Sequence, residues 1–135
     1  MSAATAANGG VYLSGGRTGT GSLDAAFLAF DPGSGTWNTF NGFNRTIYTR
    51  ASHALVAVAG SVLSIGGETT VGSTPVTDTV EAAATGANLN ASLQWRLRAP
   101  IPEADGYVRA AAIGGKIYVI TPSRTWLYDP ALDVL

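Results

Sequence analysis

The chain is predicted to be all-β, built from repeated four-stranded antiparallel units. Three observations carry that expectation. First, a block recurs three times: "AANGGVYLSGG" from Ala6, "AVAGSVLSIGG" from Ala57 and "AIGGKIYVITP" from Ala112. The copies lie 51 and 55 residues apart, and a period of about 50 residues made of short strands points to stacked units of a β-propeller. Second, no stretch keeps apolar residues at helical spacing, so no amphipathic helix is expected. Third, 17 glycines among 135 residues, with 46% apolar and only 13% charged side chains, describe a turn-rich chain with enough apolar material for a core.

The elements follow in order. Each copy opens on a strand of small residues, at 2–7, 53–59 and 108–113. A two-residue turn comes next, at Asn8-Gly9, Ala59-Gly60 and Gly114-Gly115. Asn-Gly and Gly-Gly suit a type I′ hairpin, which needs positive φ at both positions. The second strand is apolar: "VYLS" from Val11, "VLSI" from Val62 and "IYVI" from Ile117. In the first two copies it ends in Gly15-Gly16 and Gly66-Gly67, where paired glycines imply positive φ or the close approach of another backbone. After a polar loop, 17–22 in the first copy, a third strand is expected in "DAAFLAFDP" from Asp24, "VTDTVEAAA" from Val76 and "TWLYDP" from Thr125. Asp31-Pro32 and Asp129-Pro130 stop that strand and begin a turn. The fourth strand carries tryptophan, in "TWNTF" from Thr36 and "LQWRLR" from Leu93, and Pro100 and Pro102 mark the exit from the second of these.

Arg50 and His53 before the first strand, an apolar second strand with an aromatic, Gly-Gly, a strand ending in Asp-Pro and then a Trp together resemble the kelch repeat. The second copy departs from the pattern with Glu81 where Asp-Pro would fall and with about eight extra residues before Trp95. The third has Thr121-Pro122 for Gly-Gly and almost no loop after it. The resemblance covers essentially the whole chain. It implies kelch-type β-propeller blades of four antiparallel strands, the first lining a central channel and the fourth lying outside. On that template blade 1 spans about 2–40, blade 2 about 53–98 and a partial blade 3 about 108–135, an incomplete ring in one chain. Either several chains complete a ring, or the chain is a segment of a longer polypeptide. Both alternatives leave bare strand edges and a flat apolar face, so self-association, or association with the rest of a propeller, is expected.

Composition excludes several function classes. Net charge is −1 and the basic residues are scattered singly, so there is no stripe for nucleic acid or for an anionic membrane surface. No cysteine is present, which removes disulfides, thiol catalysis and thiolate metal sites. Apolar runs fall short of the ~20 residues of a membrane helix. No signal peptide is read at the start, which fits the cytoplasm or a segment of a larger secreted protein. Asn44-Arg45-Thr46 and Asn90-Ala91-Ser92 match the N-glycosylation pattern and favour the second.

No catalytic group, metal site or cofactor is expected. His53 is the sole histidine and is read as a structural polar residue at a strand start rather than a base or ligand. Among the nine acids nothing singles out a pair for glycoside chemistry; Asp31 and Asp129 are turn residues, and Glu68 and Asp105 fall on loops. The glycine-rich run from Gly15 to Gly21 lacks the Lys-Ser/Thr ending and the helix of a phosphate loop. Tyr12, Trp37, Trp95, Tyr118, Trp126 and Tyr128 are expected to pack between units, while Phe40, Phe43, Tyr48 and Tyr107 flank the connections. The resemblance places the loops 17–22, 41–50, 68–75 and 101–107 on one face. There Arg17, Arg45, Tyr48, Arg50, Glu68, Asp105 and Tyr107 are the candidate binding side chains. The leading expectation is a non-catalytic binding or scaffold module for a protein, peptide or carbohydrate ligand. The long Thr- and Ser-rich loop after Gly67 would leave a recess for a polar ligand. The alternatives are a fragment of a kelch-type isomerase or metal-dependent enzyme, with Arg50, Glu68 and Arg109 as loose candidates, or a structural or engineered propeller fragment.

Overall fold

The computed structural model describes residues 2–5, 9–17, 19, 23, 27–38, 49–69, 76–85 and 95–131. Among these the chain is all-β, with three small antiparallel sheets and no closed barrel. The first sheet runs β1 (Ser2–Thr5), β2 (Val11–Ser14), β3 (Phe27–Asp31) and β4 (Thr36–Asn38) in spatial order. The second repeats that meander with β5 (Ala54–Val58), β6 (Ser61–Ile65), β7 (Val80–Ala84) and β8 (Arg96–Arg98). The third has β9 (Arg109–Ile113), β10 (Lys116–Ile120) and β11 (Thr125–Tyr128), with β10 in the middle. β5 lies beside both β1 and β9, so the sheets meet along their first strands.

The turns form for the reasons legible in the residues. Ala59 and Gly60 have φ of 48° and 75°, and Gly114 and Gly115 have 61° and 78°, the paired positive values of a type I′ hairpin. At the end of β3, Asp31 accepts hydrogen bonds from the Ser34 hydroxyl (3.0 Å) and the Gly33 N–H (2.8 Å). These bonds hold its carboxyl below the usual range. Asp129 likewise accepts from Ala131 N–H at 3.1 Å. Both aspartates turn the chain with their own side chains.

Alternation sorts the side chains into two layers of core. Tyr12, Phe27 and Ala29 of the first sheet cluster with Leu55, Val62 and Ala83 of the second. Trp95, just before β8, packs edge-on to Phe27 with ring centroids 5.2 Å apart. Leu63, Ile65 and Val80, from the opposite face of the second sheet, cluster with Ile117, Val119 and Tyr128 of the third, joined by Ile101 and Val108. The middle sheet is therefore buried on both faces, and its strands read as nearly unbroken apolar runs.

The outer sheets bury one face each, and this corrects part of the aromatic expectation. Trp37 and Tyr118 are 53% and 39% exposed rather than packed between units. Each stands on a face that no third neighbour covers among the described residues. Phe40, Phe43 and Tyr48, the carboxy-terminal residues 132–135 and both glycosylation motifs lie outside the described residues.

Candidate functional site: the Gly-Gly end of the sheets

The connections converge at one end of the sheets, where both Gly-Gly pairs lie. Gly16 N–H donates to the carbonyl of Arg50 at 2.7 Å, and one repeat later Gly67 N–H donates to the carbonyl of Asp105 at 2.9 Å. The segment at Gly67-Glu68 is held from both sides. Ala51 and Glu68 exchange backbone hydrogen bonds of 3.1 and 2.8 Å, and Thr77 N–H donates to Gly67 at 3.0 Å. Val108 N–H reaches the Ser52 carbonyl at 3.0 Å. A loop segment pinned this way presents its side chains from a fixed backbone.

Beneath that surface lies a buried polar cluster. Arg50 is 1% exposed and Glu81 is fully buried. The guanidinium donates to Glu81 Oε2 from Nε at 3.1 Å and from Nη2 at 2.7 Å. It also donates to the carbonyls of Gly66 (2.8 Å) and Thr79 (3.0 Å) and to Thr79 Oγ1 (2.7 Å). One planar fork thus ties the end of β6 to the start of β7. Arg50 therefore differs from the expected loop-surface side chain. Its charge is spent inside the fold because Glu81, a lone acid in an apolar strand, needs a cation there.

His53 is also buried, with Nε2 at 2.7 Å from Ser14 Oγ, linking the second sheet to the first. Burial, then the positive charges of Arg50 and Arg109, push its pKa down to about 3. A histidine kept neutral in the fold titrates near 6.5 when unfolded. Its contribution is thus complete above about pH 6.5 and is lost as pH falls from there toward 3, by up to about 1.4 kcal/mol per pH unit. Urea unfolding between pH 7 and 4 is expected to show that decline, and His53→Gln is expected to flatten it. An unchanged slope in the variant would place the acid sensitivity elsewhere.

At the surface above this layer, Arg17 and Glu68 form an ion pair between the first and second repeats, their side chains 50% and 22% exposed. Asp105 Oδ1 accepts from Tyr107 N–H at 2.9 Å, fixing the turn through Gly106, whose Cα side lies against the Glu68 side chain. Tyr107 projects outward, 63% exposed. Arg17, Glu68, Asp105 and Tyr107 are thus brought to one end. Arg45, Tyr48 and the 70–75 stretch of the expected recess lie outside the described residues. Arg109 donates to the neighbouring Val108 carbonyl at 2.9 Å.

Chemically, this end offers an ion pair that reaches solvent and, on the neighbouring loop, an exposed aromatic ring. Ser14 and His53 have the contact of a nucleophile and its base, but both are buried at 1% exposure and the bond links two sheets. Among the described residues no three of His, Asp and Glu converge as metal ligands. Two recesses lined by described residues lie elsewhere. One of about 190 Å³, below the range of ordinary ligand pockets, sits between the second and third sheets beside Leu63, Arg98 and Tyr128. The other, of about 520 Å³, is an open trough along the edge strand β8. Sequence reading missed Glu81 as the partner of Arg50; its isolation within "VEAAA" was the available signal. Compared with known proteins, the chain matches no family model and no curated sequence.

Proposed function

We infer that the chain is a non-catalytic binding module made of kelch-type propeller blades, which presents the loops at its Gly-Gly end to a polar ligand, a carbohydrate or a peptide. The observation that carries this reading is the solvent-facing Arg17–Glu68 pair, at the same end of the sheets as the exposed Tyr107, set on backbone that is hydrogen-bonded on both sides and anchored by the buried Arg50–Glu81 pair beneath. Rigid scaffold below and adaptable charge above is the arrangement by which loops bind. An exposed ion pair adds little to stability, so its members are available to a ligand's own charges and hydroxyls. The exposed Tyr107 ring at the same end offers a stacking face.

The test is a glycan array and a peptide library, followed by Arg17→Ala, Glu68→Ala and Tyr107→Ala measured against whichever ligand is captured. Each substitution is expected to weaken binding about tenfold or more, the worth of one charged hydrogen bond, while costing under about 1 kcal/mol of stability. Binding that survives all three but is lost on changing the turn at Gly33 and Gly35, at the opposite end of the sheets, would assign the site to the wrong end.

A further inference from the structure

The two internal contacts between sheets are one contact made twice. Pairing registers put Tyr12, Leu63 and Tyr118 at equivalent places on the second strand of each sheet. Tyr12, with Phe27 and Ala29, points from the first sheet toward the second. Leu63, with Ile65 and Val80, points from the second toward the third. The equivalent face of the third sheet, with Ile113, Tyr118, Ile120 and Leu127, is 39–65% exposed. In the other direction, Val62 and Trp95 of the second sheet are received on the first. Their equivalents on the first sheet are Val11 and Trp37, and Trp37 stands 53% exposed against Phe30, with no further sheet in front of it among the described residues. The outer faces of the first and third sheets are therefore the two unlike halves of the contact made twice between the sheets.

We propose that these halves belong to each other: the outer face of the third sheet takes the outer face of the first sheet of a second copy, with Trp37 seated as Trp95 is. Four large exposed apolar side chains on one sheet face, bordered by Arg109, Lys116 and Thr125, are the apolar centre and polar rim of an interaction surface. The pairing is heterologous, head to tail, because the two faces differ; it closes where two chains meet at both ends and propagates where they do not. This inference rests on the repeated packing alone and is independent of the loop site.

Sedimentation of the whole chain at tens of micromolar is expected to give a mass of two chains or a longer series. Ile120→Glu and Trp37→Glu alter opposite halves at exposed positions and are each expected to weaken association at least tenfold, with circular dichroism unchanged. Mixing the two variants is expected to restore one intact contact and recover a heterodimer. In a chain free of cysteine, Val11→Cys mixed with Leu127→Cys is expected to crosslink only between the unlike variants. A wild-type chain that stays monomeric, association that survives Trp37→Glu, or crosslinks between like variants would each overturn the proposal.

Discussion

Replacing Arg50 with methionine is expected to destabilise the fold by about 3–5 kcal/mol, the usual cost of removing one member of a buried ion pair. The expectation follows from what is left behind. Glu81 is fully buried and receives two bonds from the guanidinium, and the carbonyls of Gly66 and Thr79 receive one each. Glu81 and the Gly66 carbonyl are buried and have no solvent to turn to when the donor goes, whereas the partly buried Thr79 carbonyl keeps the Gly66 N–H at 3.0 Å. A small domain commonly holds about 5–15 kcal/mol in total, so the loss is a large share of its stability. Arg50→Lys should fall between, since a point charge keeps the attraction but not the planar fork. The double variant Arg50→Met, Glu81→Leu should recover part of the loss, because no charge is then stranded, but not all of it, because the Gly66 carbonyl loses the guanidinium as its donor. Arg17→Ala, at the exposed pair with Glu68, is expected to cost under about 1 kcal/mol. Urea unfolding of the four variants orders them. An Arg50→Met loss no larger than that of Arg17→Ala would mean that the cluster does not hold the loops.

That contrast shows where sequence reading reaches and where it stops. The strands were legible because their punctuation is local. Gly-Gly pairs, Asp-Pro and alternation each act within a few residues, and "FLAFD" and "SVLSI" sit between such marks. The site was legible only in part. Glu68 and Tyr107 lie on loops that their neighbours announce, whereas the partner of Arg50 is 31 residues away on another strand. An arginine before a strand looks the same in sequence whether its head reaches water or an acid. Trp37 and Trp95 make the same point in reverse. They occupy equivalent places in two repeats, yet one is half exposed and the other packs on Phe27, because among the described residues only the second has a sheet in front of it. Neighbourhood in space, not residue type, decides both cases.

Gly67→Ala is expected to cost on the order of 3 kcal/mol or more, combining a backbone term with overpacking. Gly67 has φ of +94°, where an L-residue is strained. An added Cβ would also lie 2.6 Å from the Ala51 carbonyl oxygen, 2.7 Å from His53 Cβ and 2.9 Å from His53 Cα. None of these neighbours can step aside cheaply. The Ala51 carbonyl accepts the Glu68 N–H at 2.8 Å, and His53 is tethered to Ser14 at 2.7 Å. Relief therefore requires moving backbone on one side or the other, which breaks the bonds that align the two repeats. Gly35 separates the two causes. It also has positive φ, +69°, but nothing stands within 4 Å of an added Cβ, so Gly35→Ala should show the conformational term alone, about 1–2 kcal/mol. The difference between the two urea midpoints measures the close approach. Equal losses would show that the loop at Gly67 yields freely, and the fixed backbone on which the neighbouring Glu68 depends would then not be fixed.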